Sequence, residues 1–144
     1  MTDDDKNLIK TRERDIYLAK AMGWQYVPPG PETAEMYGDG VHCLRDPKGR
    51  LWPSPWANSE DGAWANLTPE FHEWEGAKVH LLRWLAADEA RWRAFEYEIN
   101  ALWEPLDMSE SWSRFLVTLT PAQVAEAAEK ALLALVAERE AKNG

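Results

Sequence analysis

Four groups of residues carry side chains able to do chemistry. His42 and Cys43 are adjacent, and a thiol beside an imidazole makes a nucleophile–base pair when the two lie within hydrogen-bond reach. On a strand, however, neighbouring side chains point to opposite faces, and a lone cysteine belongs to one of the most buried residue types. His72 or His80 could meet Cys43 only through the fold. Glu96 and Glu98, followed by Glu104 and Asp107, would share a strand face and could divide acid and base roles; a solvated strand face is the simpler reading. His72 and His80 are roughly two helical turns apart, too far for a metal-binding i, i+4 pair. With Glu73 and Glu75 nearby they read as polar positions on an amphipathic helix. Arg83, Arg91 and Arg93 beside Trp84 and Trp92 could stack on bases, but the acids around them oppose it. The eight glycines form neither a G-x-x-x-x-G-K-[ST] nor a G-x-G-x-x-G phosphate cradle. The sequence therefore assigns no catalytic residue, no metal ligand and no cofactor.

Recognition is better provided for. Nine of the 144 residues are Trp: 24, 52, 56, 64, 74, 84, 92, 103 and 112. Trp joins a large apolar body to one N–H donor and serves cores and interface anchors equally. Most should be buried or half-buried. Trp52 and Trp56 flank Pro53-Ser54-Pro55, where two prolines stiffen the backbone, and they are the candidate binding residues.

Composition narrows the partner. The 16.5 kDa chain has a formal charge of −9, which disfavours direct binding to nucleic acid or an anionic membrane. One cysteine excludes an internal disulfide. No apolar run reaches the roughly 20 residues of a membrane-spanning helix. The start, Met1-Thr2-Asp3-Asp4-Asp5-Lys6, lacks the apolar region of a secretory signal, so a cytoplasmic location is expected.

The elements that must hold these residues follow from pattern. Asn7 or Thr11 can cap a first helix with Ile9, Ile16, Ala19 and Met22 on one side, Arg12, Glu13, Arg14, Asp15 and Lys20 on a solvated face, and Gly23 as C-terminal cap. Trp24–Val27 reads as a strand. Val41–Leu44 and Arg50–Trp52 read as a hairpin about Asp46-Pro47-Lys48-Gly49. A second helix should start at Thr68-Pro69-Glu70 and bury Phe71, Trp74, the stem of Lys78, Leu82 and Leu85, with a break near Ala86–Glu89. Trp92–Asn100 fits both periods and is read as a strand for its alternation of Phe95, Tyr97 and Ile99 with Glu96 and Glu98. Trp112–Leu119 alternates likewise. Thr120-Pro121-Ala122-Gln123 is a capping box opening a last helix with Val124, Ala128, Ala131, Leu132, Leu135 and Val136 on its apolar stripe. The expectation is α+β: one layered domain over 8–138, a small antiparallel sheet with about three helices, a flexible acidic terminus at 1–7 and a flexible end at 139–144.

Arg12-Glu13-Arg14-Asp15 with Leu18-Ala19-Lys20-Ala21-Met22-Gly23-Trp24 resembles the R-E-x-D…A-x-x-M-G-W opening of small phage proteins with the ABA-sandwich domain. Those proteins continue with a Pro/Ser-rich loop, here Pro53-Ser54-Pro55-Trp56, and a central helix. They often end in a T-P-x-x-[AI]-x-x-A-A-x-x-A-L helix, here Thr120 to Leu132. The resemblance covers both ends; Glu32–His42 and Asn58–Glu75 have no counterpart. It implies a phage or prophage origin, helix–sheet–helix layering and no established enzymatic activity, so no catalytic residues carry over.

The reading is an accessory protein that binds a host or phage protein without catalysis, in its sharper form an inhibitor of a host defence system. Two alternatives stand beside it. One is a small-ligand or nucleotide-processing enzyme in which His42, Cys43 and Glu96/Glu98 converge. The other is a minor virion or assembly component that oligomerises through its last helix; the sequence leaves the oligomeric state open.

Overall fold

The computed structural model describes the backbone of residues 3–103 and 112–143, and the side chains of residues 9–102 and 115–143. The chain is α+β, with one three-stranded antiparallel sheet and, among the described residues, seven helices. Its packing divides into two compact units, Met1–Pro69 and Glu70–Gly144; the domain expected over 8–138 runs across that division.

In the first unit, helix α1 spans Asp3–Met22. It starts ahead of Asn7 and Thr11, so neither caps it, and it makes helical a stretch expected to be a flexible terminus. Its end follows the sequence reading. Gly23 has φ +107°, and the N–H groups of Gly23 and Trp24 reach back to the carbonyls of Lys20 and Ala19 at 3.2 and 3.0 Å. That is a Schellman ending, whose left-handed residue tolerates glycine far better than a side chain.

Strands β1 (Gln25–Val27), β2 (His42–Arg45) and β3 (Leu51–Ser54) lie in that order across the sheet. Two helices were not foreseen: α2 (Pro31–Tyr37), entered through Pro31, and α3 (Glu60–Leu67). Asp46 shapes the expected hairpin turn, its carboxylate accepting from the Lys48 and Arg50 N–H groups at 2.9 Å each. Register pairs Leu44 with Tyr26 and Trp52, and Cys43 with Val27 and Pro53, so these two sets occupy opposite faces. Asn66 on α3 donates to Ser54 at 3.0 Å. Glu32 on α2 pairs with Arg45 at 2.8 Å. Ser54 and Arg45 belong to opposite faces; α3 packs on the face of Ser54, and α2 reaches the other through Glu32. Helix α1 packs on α3. There Arg12, expected on a solvated face, donates to the carbonyls of Ala65 and Thr68 at 2.6 and 2.7 Å, a cation at a helix C-terminus. Asp15, expected beside it, is buried and 3.4 Å from Arg12.

The second unit is helical. Helix α4 is Glu75–Ala86, α5 Glu89–Trp103, α6 Trp112–Thr118 and α7 Pro121–Asn143. Three expectations are corrected here. Thr68 does not start α4; it ends α3, its N–H and hydroxyl both donating to the Trp64 carbonyl at 3.2 and 2.5 Å, and Trp74 stands at the α4 N-cap. The segment 92–100 is α5, not a strand: Phe95 and Ile99 are both fully buried while Tyr97 between them is 76% exposed. Trp112–Leu119 gives α6 for the same reason, Phe115 and Leu119 being buried and Val117 77% exposed. The capping box of α7 forms as read: the Gln123 N–H donates to the Thr120 hydroxyl at 3.1 Å, and the Thr120 N–H to the Gln123 amide oxygen at 2.9 Å. Val124, Ala128, Ala131 and Leu132 are buried, and α7 remains helical to Asn143 where a flexible end was expected.

Candidate functional site

Trp56 is the most exposed of the described large apolar side chains, at 88%. Its backbone is nonetheless well fixed. The Ala57 N–H donates to the Ser54 carbonyl at 3.1 Å, closing a turn with Pro55 and Trp56 at its centre, where proline pre-sets φ. The turn leaves the β3 ladder on one side. On the other it runs into α3, which Ser59 caps by accepting from the Gly62 N–H at 3.2 Å. A Cβ at Gly62 would lie 3.2 Å from that of Ala57, so the loop sits tightly on the first turn of α3. A rigid loop thus holds an indole out in water.

Trp52, on β3, is 37% exposed. The Arg50 guanidinium lies 4.3 Å above its ring, and its Nε1 donates to Asp46 at 3.0 Å. Burial alone would raise the Asp46 carboxyl; the bond from Trp52, the Arg50 and Lys48 N–H groups and the Arg50 charge together hold it below the ordinary carboxylate range. Strand β3 is an edge strand, but its edge is blunted. The Tyr37 hydroxyl donates to the Leu51 carbonyl at 3.1 Å, and Pro53 has no N–H to offer. What this edge presents is therefore ring surface rather than a free ladder.

The catalytic candidates do not assemble. Register sends His42 and Cys43 to opposite faces. His42 instead pairs with Tyr26, whose hydroxyl is 2.6 Å from Nδ1, with the rings stacked at 6.0 Å. Burial, then Glu60 and Cys43, pushes the phenol's pKa up. Cys43 is fully buried, and burial, then Glu32, pushes its thiol up, away from the reactive thiolate. Glu96 and Glu98 lie on α5, where two residues of separation turn side chains to nearly opposite sides. Among the described residues no cluster of three His, Cys, Asp or Glu could hold a metal ion, and no helix is long and apolar enough to cross a membrane. Glu104 and Asp107 lie outside the described residues.

Of the other tryptophans, Trp64 is buried and Trp24, Trp84 and Trp92 are half-buried. Sequence reasoning missed Trp74, 62% exposed, whose ring lies 3.4 Å from where a Gly76 Cβ would stand. No signal in the sequence marked it, because its helical spacing from Phe71 and Lys78 suggests an apolar face. No known protein family matches the chain, and neither a curated protein nor a solved structure matches it.

Proposed function

We propose that this chain is a small acidic binding module, phage- or prophage-encoded, which docks a host or phage protein through Trp56 with Trp52 beside it and performs no catalysis. The observation that carries the reading is Trp56: a large ring 88% exposed on a loop fixed at both ends. Tryptophan is among the residue types most enriched in interface anchors, covering this ring would remove apolar surface from water, and pre-ordering lowers the entropy lost on binding. The phage origin rests on the matching residues at both ends of the chain. In its sharper form the module inhibits a host defence system, its −9 charge directed at a basic nucleic-acid groove and its indoles serving as anchors. An assembly role has one observation of its own, the exposure of Leu133 and Val136 on α7 at 51% and 44%.

Affinity capture from bacterial lysate, with wild-type protein and the Trp52→Ala/Trp56→Ala variant at low and high salt, tests the reading. A protein retained by the wild type and lost by the variant supports it, and loss at high salt supports the acidic mode. Identical capture by both proteins removes the two indoles from the site. A symmetric oligomer disrupted by Val136→Glu would favour assembly.

A further inference from the structure

We infer that the group Trp56 takes is a cation, the guanidinium of an arginine on a basic segment of the partner protein, seated on the indole face beside the acidic first turn of α3. This deepens the binding reading and rests on it.

Three other indoles of this chain already hold a cation on their faces. Arg91 lies 4.0 Å from the Trp84 ring, Arg50 4.3 Å from Trp52 and Lys20 5.0 Å from Trp64. One of these is completed by a hydrogen bond from the cation itself, Arg91 also donating to the Trp84 carbonyl at 2.9 Å; the other two rings each donate their indole N–H to a carboxylate, Trp52 to Asp46 at 3.0 Å and Trp64 to Glu60 at 3.1 Å. What recurs is an indole face holding a cation with an oxygen acceptor close to the ring, and a flat guanidinium matches such a face better than a compact ammonium.

Trp56 offers the ring face on the surface, with carboxylates on the helix turn that its loop packs against. Its ring is exposed, and tight packing of Ala57 on Gly62 sets the loop against the first turn of α3, which carries Glu60 and Asp61. Both are exposed. Glu60 is held by the Trp64 indole, from which it accepts at 3.1 Å, and Asp61 beside it is the acceptor assigned to an incoming guanidinium. The formal charge of −9 draws a basic segment in at long range. An apolar segment would cover the ring equally well but would leave the carboxylates desolvated beside it, at a cost.

The test is nuclear magnetic resonance titration of the whole chain with the peptide acetyl-Gly-Arg-Gly-Arg-Gly-amide, reading the Trp56 indole N–H in the wild type and the backbone N–H groups of Ala57 and Gly62 in wild type and variants alike. The control is the same peptide with citrulline, which keeps the shape and removes the charge. The expected result is a saturable shift with the arginine peptide and none with citrulline. Trp56→Ala should abolish binding, Trp56→Phe should weaken it, and Asp61→Asn should raise Kd about two- to fivefold. Equal binding of the citrulline peptide, or undiminished binding to Trp56→Ala, overturns the inference. If lysate capture depends on Trp56 while the arginine peptide fails to bind, the docking site stands and its cationic specificity falls. If neither depends on Trp56, both fall.

Discussion

Trp52 and Trp56 stand four residues apart yet should respond oppositely to truncation. Trp52 is 37% exposed, so about two-thirds of a side chain that can bury ~200 Å² is covered. At ~25 cal/mol per Å² that is about 3 kcal/mol, an upper figure because the unfolded chain also hides some surface. The Arg50 stack contributes a further ~0.5–1 kcal/mol. Water replaces part of what Asp46 loses, so Trp52→Ala should cost about 2–3 kcal/mol. Trp56, 88% exposed, covers only ~25 Å², and Trp56→Ala should stay within about 0.5 kcal/mol. Urea titration followed by circular dichroism reads the difference. With m of ~1–3 kcal/mol per M, the midpoint of Trp52→Ala should fall by about 1–2 M while that of Trp56→Ala barely moves. A Trp56→Ala midpoint as low as that of Trp52→Ala would mean that Trp56 is packed, and the argument for a displayed anchor would be refuted. An unmoved Trp52→Ala would refute the structural role given to its Arg50 and Asp46 contacts.

Lys78 is buried in α4, and its Nζ donates to the carbonyls of Leu119 and Val117 at 2.6 and 3.4 Å; Lys78→Met keeps the stem but orphans those acceptors, and a thermal melt should show a loss of about 1–3 kcal/mol. Thr120→Ala removes one half of the α7 capping box and should cost about 1 kcal/mol by the same assay. Cys43, buried with its thiol pushed up, should resist a disulfide reagent at neutral pH in the native chain and react promptly in urea; rapid native reaction would contradict its placement. The Asp46 carboxyl is held below its ordinary range, so its contribution is present above the unfolded value and disappears as pH falls through the folded one. Asp46→Asn should flatten that part of the acid limb of the stability curve, and an unchanged limb would show that Asp46 contributes nothing to it.

The elements legible in the sequence are those specified by a local rule. Gly23 ends α1 because a left-handed residue is needed there, Asp46 and Gly49 turn the hairpin, and Thr120 with Gln123 opens α7. Two segments misled because the helical and strand periods share a position. Residues i and i+4 lie on one face in either geometry, so Phe95 with Ile99, and Phe115 with Leu119, cannot separate them. Only the residue between decides. Tyr97 and Val117 are apolar enough to suggest a strand face, yet both stand in water, which only the helix allows. Thr68-Pro69 misled differently: Ser or Thr before Pro marks a boundary at either end of a helix. Here the Thr68 hydroxyl bonds backward to Trp64, which no local pattern reveals.

The site divides along the same line. Proline spacing and indole count are one-dimensional signals, and they single out Trp52 and Trp56 as candidates without the fold, though Trp52 to Ser54 belong to β3 rather than to a loop. Whether a ring is displayed or packed depends on neighbours distant in sequence, as does the fate of a charge. Arg12 and Asp15 look solvated on a helical wheel. The structure places Arg12 against carbonyls more than fifty residues away and buries Asp15. Lys78 shows the same thing in the second unit, where the distant carbonyls of Val117 and Leu119 account for its burial. His42 and Cys43 make the complementary case: adjacency in the chain suggested chemistry, and strand alternation directs the two groups to opposite faces. For a chain built this way, a local pattern is a safe guide to backbone turns and caps. A chemical role has to wait until the partner across the fold is known.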